Sequence, residues 1–135
     1  MDRLEADDLL IRVDRSATAC LRLDWLGRSN ARNPVQVIAP FFDQVLTEAA
    51  GYHRYVDMHF EALEHFNSST IATLIHLINS AGRANVPLRV HYDGELRWQA
   101  LAFDALKRAV KSFAQGQGPQ VEFFSAQAQK QAQKQ

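Results

Sequence analysis

Histidine, serine, glutamate and cysteine side chains are the groups in this sequence that could do chemistry, and their spacing restricts what that chemistry is. The five histidines are His53, His59, His65, His76 and His91. None forms a helical i, i+4 pair, and the single cysteine, Cys20, cannot complete a thiolate site. They read as solvated or hydrogen-bonded structural histidines, so no metal and no cofactor is expected. Glu61 and Glu64 lie close together, but in a short linker with no nucleophile or cofactor motif nearby. Ser68 as a catalytic nucleophile would need a base and an orienting acid, and neither is identifiable. There is no Gly-x-Gly-x-x-Gly, no phosphate-binding P-loop and no Gly-x-Ser-x-Gly. No catalytic residue is assigned, and the chain reads as non-enzymatic.

The hydroxyl cluster Asn67-Ser68-Ser69-Thr70 is the more informative feature. It precedes an apolar run with helical spacing, Ile71, Leu74, Ile75 and Ile78, widened by Leu77 and Ala81. Any of Asn67, Ser68 or Ser69 can accept a hydrogen bond from the orphan amides of a helix start. Capping alone would explain the cluster. The same place also suits a phosphate, because free N–H groups and the positive end of the macrodipole tolerate an anion there. The fold would survive such a modification, while an apposed partner would meet a new charge of about −1.5 to −2.

The elements that must position this cluster follow from periodicity. Leu9 to Val13 and Ala17 to Trp25 read as strands, the second alternating Ala19, Leu21, Leu23, Trp25 against Thr18, Cys20, Arg22, Asp24. Asp14-Arg15-Ser16 makes them a hairpin. Gly27 to Asn33 reads as a polar loop carrying Arg28 and Arg32. Asn33-Pro34 is a helix-start signal, followed by an apolar face of Val35, Ile38, Phe42, Val45, Leu46 and Ala49, with Gly51 as the stop. Tyr55 to Phe60 is a strand, Glu61 to Phe66 a linker, and Val86 to Tyr92 a further strand. Asp93-Gly94 turns the chain into a third helix whose expected buried side is Trp98, Leu101, Ala102, Ala105, Leu106, Ala109 and Phe113. Gln115 to Pro119 ends it, and Val121 to Phe124 is a last edge strand. The expected fold class is therefore α/β, a mixed four- to five-stranded sheet with helices mainly on one face. Residues 1–124 form one domain and 125–135, built of serine, alanine, glutamine and lysine, a disordered tail.

Composition bounds the function. Fifteen basic residues against fifteen acidic ones give no net charge, so no electrostatic footprint for nucleic acid exists. No apolar run is long enough to span a bilayer, and the charged start, Met1 to Asp8, lacks a secretory signal's apolar core. Cys20 reads as a buried, inert thiol. A cytoplasmic location is expected, with no nucleic acid and no membrane as partner.

Val56-Asp57-Met58-His59-Phe60 followed by Phe66-Asn67-Ser68-Ser69-Thr70-Ile71-Ala72-Thr73-Leu74 resembles the signature of the STAS family, which includes the anti-sigma-factor antagonists. In that family a strand with an internal aspartate leads to Asp-Ser-Ser-Gly or Asp-Ser-Thr-Gly and an apolar helix. The element order matches over about residues 8 to 124. Asn67 replaces the family's aspartate and Thr70 its glycine. Asn-Ser-Ser-Thr, together with Glu95 to Leu106, is also similar to a divergent subgroup of small STAS-like regulators.

The resemblance implies a phosphorylation site at Ser68, with Ser69 and Thr70 as alternatives. It implies a partner-binding surface comprising Asn67, Ser69, Thr70, Arg28 and Arg32, where the arginines could meet a phosphoserine or an acidic partner; a solvated basic loop is the plainer alternative. The implied partners are a serine kinase of the anti-sigma type and a serine phosphatase. Two other readings remain open, a STAS scaffold that works without phosphorylation and a STAS domain that binds a small ligand.

Overall fold

The computed structural model describes residues 2–113 and 121–125. Its elements run β1 Arg3–Ala6, β2 Leu9–Asp14, β3 Cys20–Ser29, α1 Pro34–Gly51, β4 Tyr55–His59, β5 Leu63–Phe66, α2 Ser68–Arg83, β6 Leu88–Tyr92, α3 Arg97–Phe113 and β7 Val121–Ser125. The strand order is β1-β2-β3-β4-β6-β7, with β5 paired to β3 off this path. β1, β2 and β3 are antiparallel neighbours, and the β3–β4, β4–β6, β6–β7 and β3–β5 pairs are parallel. The α/β class and the mixed sheet are as expected. The strand count is not: seven strands are present among the described residues, because β1 and β5 add to the set that hydrophobic alternation marks.

Alternation decides which face of the sheet is covered. Leu21, Leu23 and Trp25 on β3, Val56 and Met58 on β4, and Leu88, Val90 and Tyr92 on β6 are all buried. With the apolar faces of the three helices they make one continuous core. The intervening residues, Arg22, Asp24, Asp57, His59, Arg89 and His91, are exposed or only partly buried and form the sheet's open face. Cys20 is a free, buried thiol.

Three local readings are corrected. Gly27 and Arg28 are not loop residues; β3 continues to Ser29 through a register shift between Gly27 and Arg28. β3 pairs with β4 as far as Asp24 and with β5 from Gly27, and the shift lies within this second ladder, where Glu64 is the extra residue on β5. The linker 61–66 contains β5, whose burial pattern (inward at both ends, outward at Glu64 and His65) has no period-two signal. On α3 the buried side is Gln99, Phe103, Leu106 and Val110, while Leu101 is 62% exposed and Ala105 is also exposed. A polar side chain in the core rotates this face away from the one that apolar spacing selects.

That side chain is fully buried and fully used. Gln99 Nε2 donates to the carbonyls of Phe60 (2.8 Å) and Leu63 (3.1 Å), and Oε1 accepts from the Asp93 amide (2.8 Å). The backbone break between β4 and β5 is thereby satisfied from α3. Pro34 opens α1, as expected, but the Asn33 side chain makes no capping bond. Ser125 belongs to β7 and not to the tail; residues 126–135, like 114–120, lie outside the described residues.

Gly27 has φ of 85°, and a Cβ there would lie 2.1 Å from the Asp8 carbonyl oxygen. Both the backbone region and the contact exclude a side chain. Gly27→Ala should therefore cost about 2 kcal/mol or more, read as a lowered midpoint in urea unfolding with an unchanged m-value.

Candidate functional site at the start of the second helix

The start of α2 is tied to the end of β3 by a small hydrogen-bond network. Phe66, the last residue of β5, is buried edge-on against Trp98 (5.3 Å between ring centres). This anchors the chain just before Asn67. Asn67 leaves the extended region at φ −94°, ψ 176° and is the N-cap; its Oδ1 accepts from the Thr70 amide (3.0 Å) and the Thr70 hydroxyl (2.8 Å). Its amide Nδ2 donates to the carbonyl of Ala31 (3.0 Å), and its backbone N–H donates to the carbonyl of Ser29 (3.2 Å). Thr70 is completely buried, and its hydroxyl lies 2.7 Å from that of Ser29.

These contacts explain both departures from the Asp-Ser-Ser-Gly pattern. A carboxylate at position 67 could cap α2 but could not donate to Ala31. A glycine at position 70 would leave the buried Ser29 hydroxyl without its partner. Asn67 and Thr70 work as a pair, and they exchange a local negative charge for a fastening between α2 and the segment after β3.

The remaining residues of the cluster divide clearly. Ser68 is exposed at the first position of α2, and Ser69 is half-buried with its carbonyl accepting from the Thr73 hydroxyl (2.9 Å). Asn67 is the capping side chain, so Ser68 is not required for that role. Arg28 is exposed on β3, its guanidinium 3.7 Å from Glu64 across β5. Arg32 is exposed in the connection to α1. The Ser29 and Ala31 carbonyls that hold Asn67 therefore lie in the same short segment as both arginines. A cleft of about 530 Å³ adjoins this segment, lined by residues including Asp8, Arg28, Ser29, Asn30 and Pro34.

Sequence reasoning missed a second constellation, on the open face. His59 on β4 and His91 on β6 are register partners, and Asp57 precedes His59 by two residues on the same face. Asp57 Oδ2 lies 3.0 Å from His59 Nε2 and Oδ1 lies 2.6 Å from His91 Nε2. Glu61 lies 3.1 Å from His59 Nδ1. The two imidazoles stack, 4.1 Å apart and 3° from parallel, and Phe124 of β7 stacks on His91. The spacing of Asp57-x-His59 was visible in the sequence, but its pairing with His91 depends on the parallel β4–β6 register.

Burial alone would lower the His59 pKa, but the hydrogen bonds to Asp57 and Glu61 and their negative charges outweigh it and raise it to about 9. Burial would likewise raise Asp57, yet hydrogen bonds from His59 and His91 hold its carboxyl well below the usual range. Glu61 is lowered against its own burial chiefly by its bond to His59.

No protein-family model matches the chain, and no curated protein sequence matches it. Solved structures do. The anti-sigma factor antagonist SpoIIAA in its unphosphorylated form superposes with a TM-score of 0.52 at 11% identity, covering 92% of this chain and 97% of that one. An uncharacterised protein of the DUF3478 family with a SpoIIAA-like fold, from Shewanella loihica PV-4, superposes with a TM-score of 0.51 at 14% identity, covering 89% and 88%.

Two expected outcomes follow from these interactions. Asn67→Ala removes the cap and the bond to Ala31 and should cost about 1–2 kcal/mol, measured by thermal unfolding, with Ser68→Ala within about 0.5 kcal/mol of wild type. For the open face, a raised His59 pKa means a contribution fully present below its ordinary value of 6.5 and lost as pH rises to about 9. The groups facing His59 are Asp57 and Glu61, with His91 and Asp24 beside it in register. In EDTA-containing buffer the melting temperature should fall between about pH 6.5 and 9, and His59→Gln should flatten that fall. The architecture, the element order and these superpositions together give the chain a STAS-like fold, that of the anti-sigma factor antagonist SpoIIAA.

Proposed function

We propose that this chain is a non-enzymatic, protein-binding regulator whose contact surface surrounds the start of α2 and is switched by phosphorylation of Ser68. The observation that carries this reading is the division of labour in the cluster: Asn67 caps the helix, leaving an exposed hydroxyl at Ser68. Ser68 is also the first residue of a sixteen-residue helix, whose positive end favours an added phosphate. Thr70 is a poorer acceptor, since its hydroxyl is buried in the Asn67–Ser29 network, and the half-buried Ser69 stands between the two. Arg28 and Arg32 flank the segment that holds Asn67 and supply cations at the rim.

By analogy with the anti-sigma-factor antagonists, the partner is a serine kinase of the anti-sigma type, with a serine phosphatase restoring the free hydroxyl, all within the cytoplasm. Unmodified chain binds and sequesters that partner; phosphate weakens the complex by adding charge and volume that the apposed partner surface must accommodate. A second reading, a scaffold that binds without phosphorylation, is favoured by Asn67, which provides no acidic neighbour to the serine.

The two readings separate by intact-mass analysis and peptide mapping after incubation with anti-sigma-type serine kinases and ATP. The switch predicts one phosphate on Ser68, none on Ser68→Ala, and at least about thirtyfold weaker binding to the kinase, equivalent to about 2 kcal/mol. Tight binding with no phosphate on any hydroxyl from 68 to 70 would establish the scaffold instead. Thermal stabilisation by small molecules with no protein partner would point to the adjoining cleft.

A further inference from the structure

We propose that Asp57, His59 and His91 form a binding site for one divalent transition-metal ion of the zinc class on the open face of the sheet, with Glu61 positioning His59. The donor set is two imidazole nitrogens and one carboxylate oxygen, a combination that suits first-row ions such as Zn²⁺, Co²⁺ and Ni²⁺ and not the all-oxygen preference of Ca²⁺ or Mg²⁺. One potential ligand atom from each residue lies within 4.8 Å of the others. The site involves no residue of the Asn67–Thr70 cluster and does not depend on the proposed switch at Ser68.

The placement is built into the sheet. Parallel β4–β6 register puts His59 beside His91, and alternation along β4 puts Asp57 on the same face. All three side chains are mostly buried, 13–16% exposed, so few rotamers are open to them. The strongest second observation is Glu61. Its carboxylate takes up Nδ1 of His59 at 3.1 Å and leaves Nε2 directed at Asp57. A carboxylate behind the distal nitrogen is the arrangement that orients ligating imidazoles and raises their basicity. Phe124 stacks on the His91 ring and closes one side of the site.

Binding requires a modest rearrangement. Tetrahedral bonds of about 2.0–2.1 Å put neighbouring donors about 3.3 Å apart, so the contacts of 3.0 and 2.6 Å from Asp57 to the two imidazoles must open as the ion enters. Two parallel rings cannot both aim their lone pairs at one ion, so at least one imidazole turns when the ion enters. The ion then replaces the hydrogen-bonding protons between Asp57 and the two imidazoles, which leave to solvent. Three protein ligands leave a fourth position on the solvent side for water or an external donor.

The test uses the full, tag-free chain stripped of metal, titrated with Zn²⁺ by calorimetry in a non-coordinating buffer and with Co²⁺ by visible absorption. One ion per chain is expected, with a raised melting temperature and d–d bands of a tetrahedral site for Co²⁺. His59→Gln and His91→Gln should each abolish stoichiometric binding, and Glu61→Gln should weaken it about 10- to 100-fold. His65→Gln and His76→Gln, which alter exposed histidines elsewhere, should leave it unchanged. Circular dichroism establishes that each variant is folded. Absence of stoichiometric binding to the wild-type chain overturns the proposal, as does binding that survives in His91→Gln. If His59→Gln does not fold, unchanged affinities in both Glu61→Gln and His91→Gln are equally decisive against it.

Discussion

A buried amide holds together the turn at which the sheet's ladder is interrupted between β4 and β5. There the backbone leaves its ladder: the carbonyl of Phe60 accepts a turn bond from the Leu63 amide (3.0 Å), and it and the carbonyl of Leu63 also face α3. Gln99 supplies donors to both and accepts the Asp93 amide at the head of α3. Each buried carbonyl left unsatisfied would cost about 1–3 kcal/mol, so the contact fixes α3, β4 and β5 relative to one another. That turn leads into β5, and α2 begins two residues after the end of β5. Phe66, edge-on against Trp98 of α3, carries the same constraint to the residue before the cap.

From there the chemistry of the α2 start is a matter of which groups remain free. Two carbonyls, of Ser29 and Ala31, accept from Asn67, and the hydroxyls of Ser29 and Thr70 face each other in the core. This network fastens the helix start to the strand that carries Arg28. It also consumes the polar capacity of residues 67 and 70 while leaving Ser68 exposed. The residue that holds the helix start and the residue that presents a hydroxyl are thus separate.

The two faces of the sheet have opposite characters for one reason. All three helices contribute to a single core, so side chains of one parity along each strand are buried, and those of the other parity stay available for polar work. On that open face, charge neutralisation takes place within a compact cluster: Asp57 is shared by two imidazoles, and Glu61 backs one of them. Such a cluster on adjacent rigid strands is better ordered than one on loops.

Much of this was legible from residue order. Alternation in β3, the three- and four-residue spacing in α1 and α2, the proline that opens α1 and the hydroxyl cluster before α2 are local signals, each decided by sterics or by burial on one face. They were sufficient for the α/β class and for the position of the candidate site. Other features carry no local signal. β1 is largely charged and β5 is only four residues long without alternation, so both become strands only because a neighbour offers a ladder. The buried face of α3 includes Gln99, which finds four backbone partners, and hydrophobic spacing cannot anticipate that. Which of Asn67, Ser68 and Ser69 caps α2 depended on where Ala31 and Ser29 lie. The Asp57–His59–His91 cluster depends on register across two strands separated by more than thirty positions in sequence, and only tertiary structure sets that register.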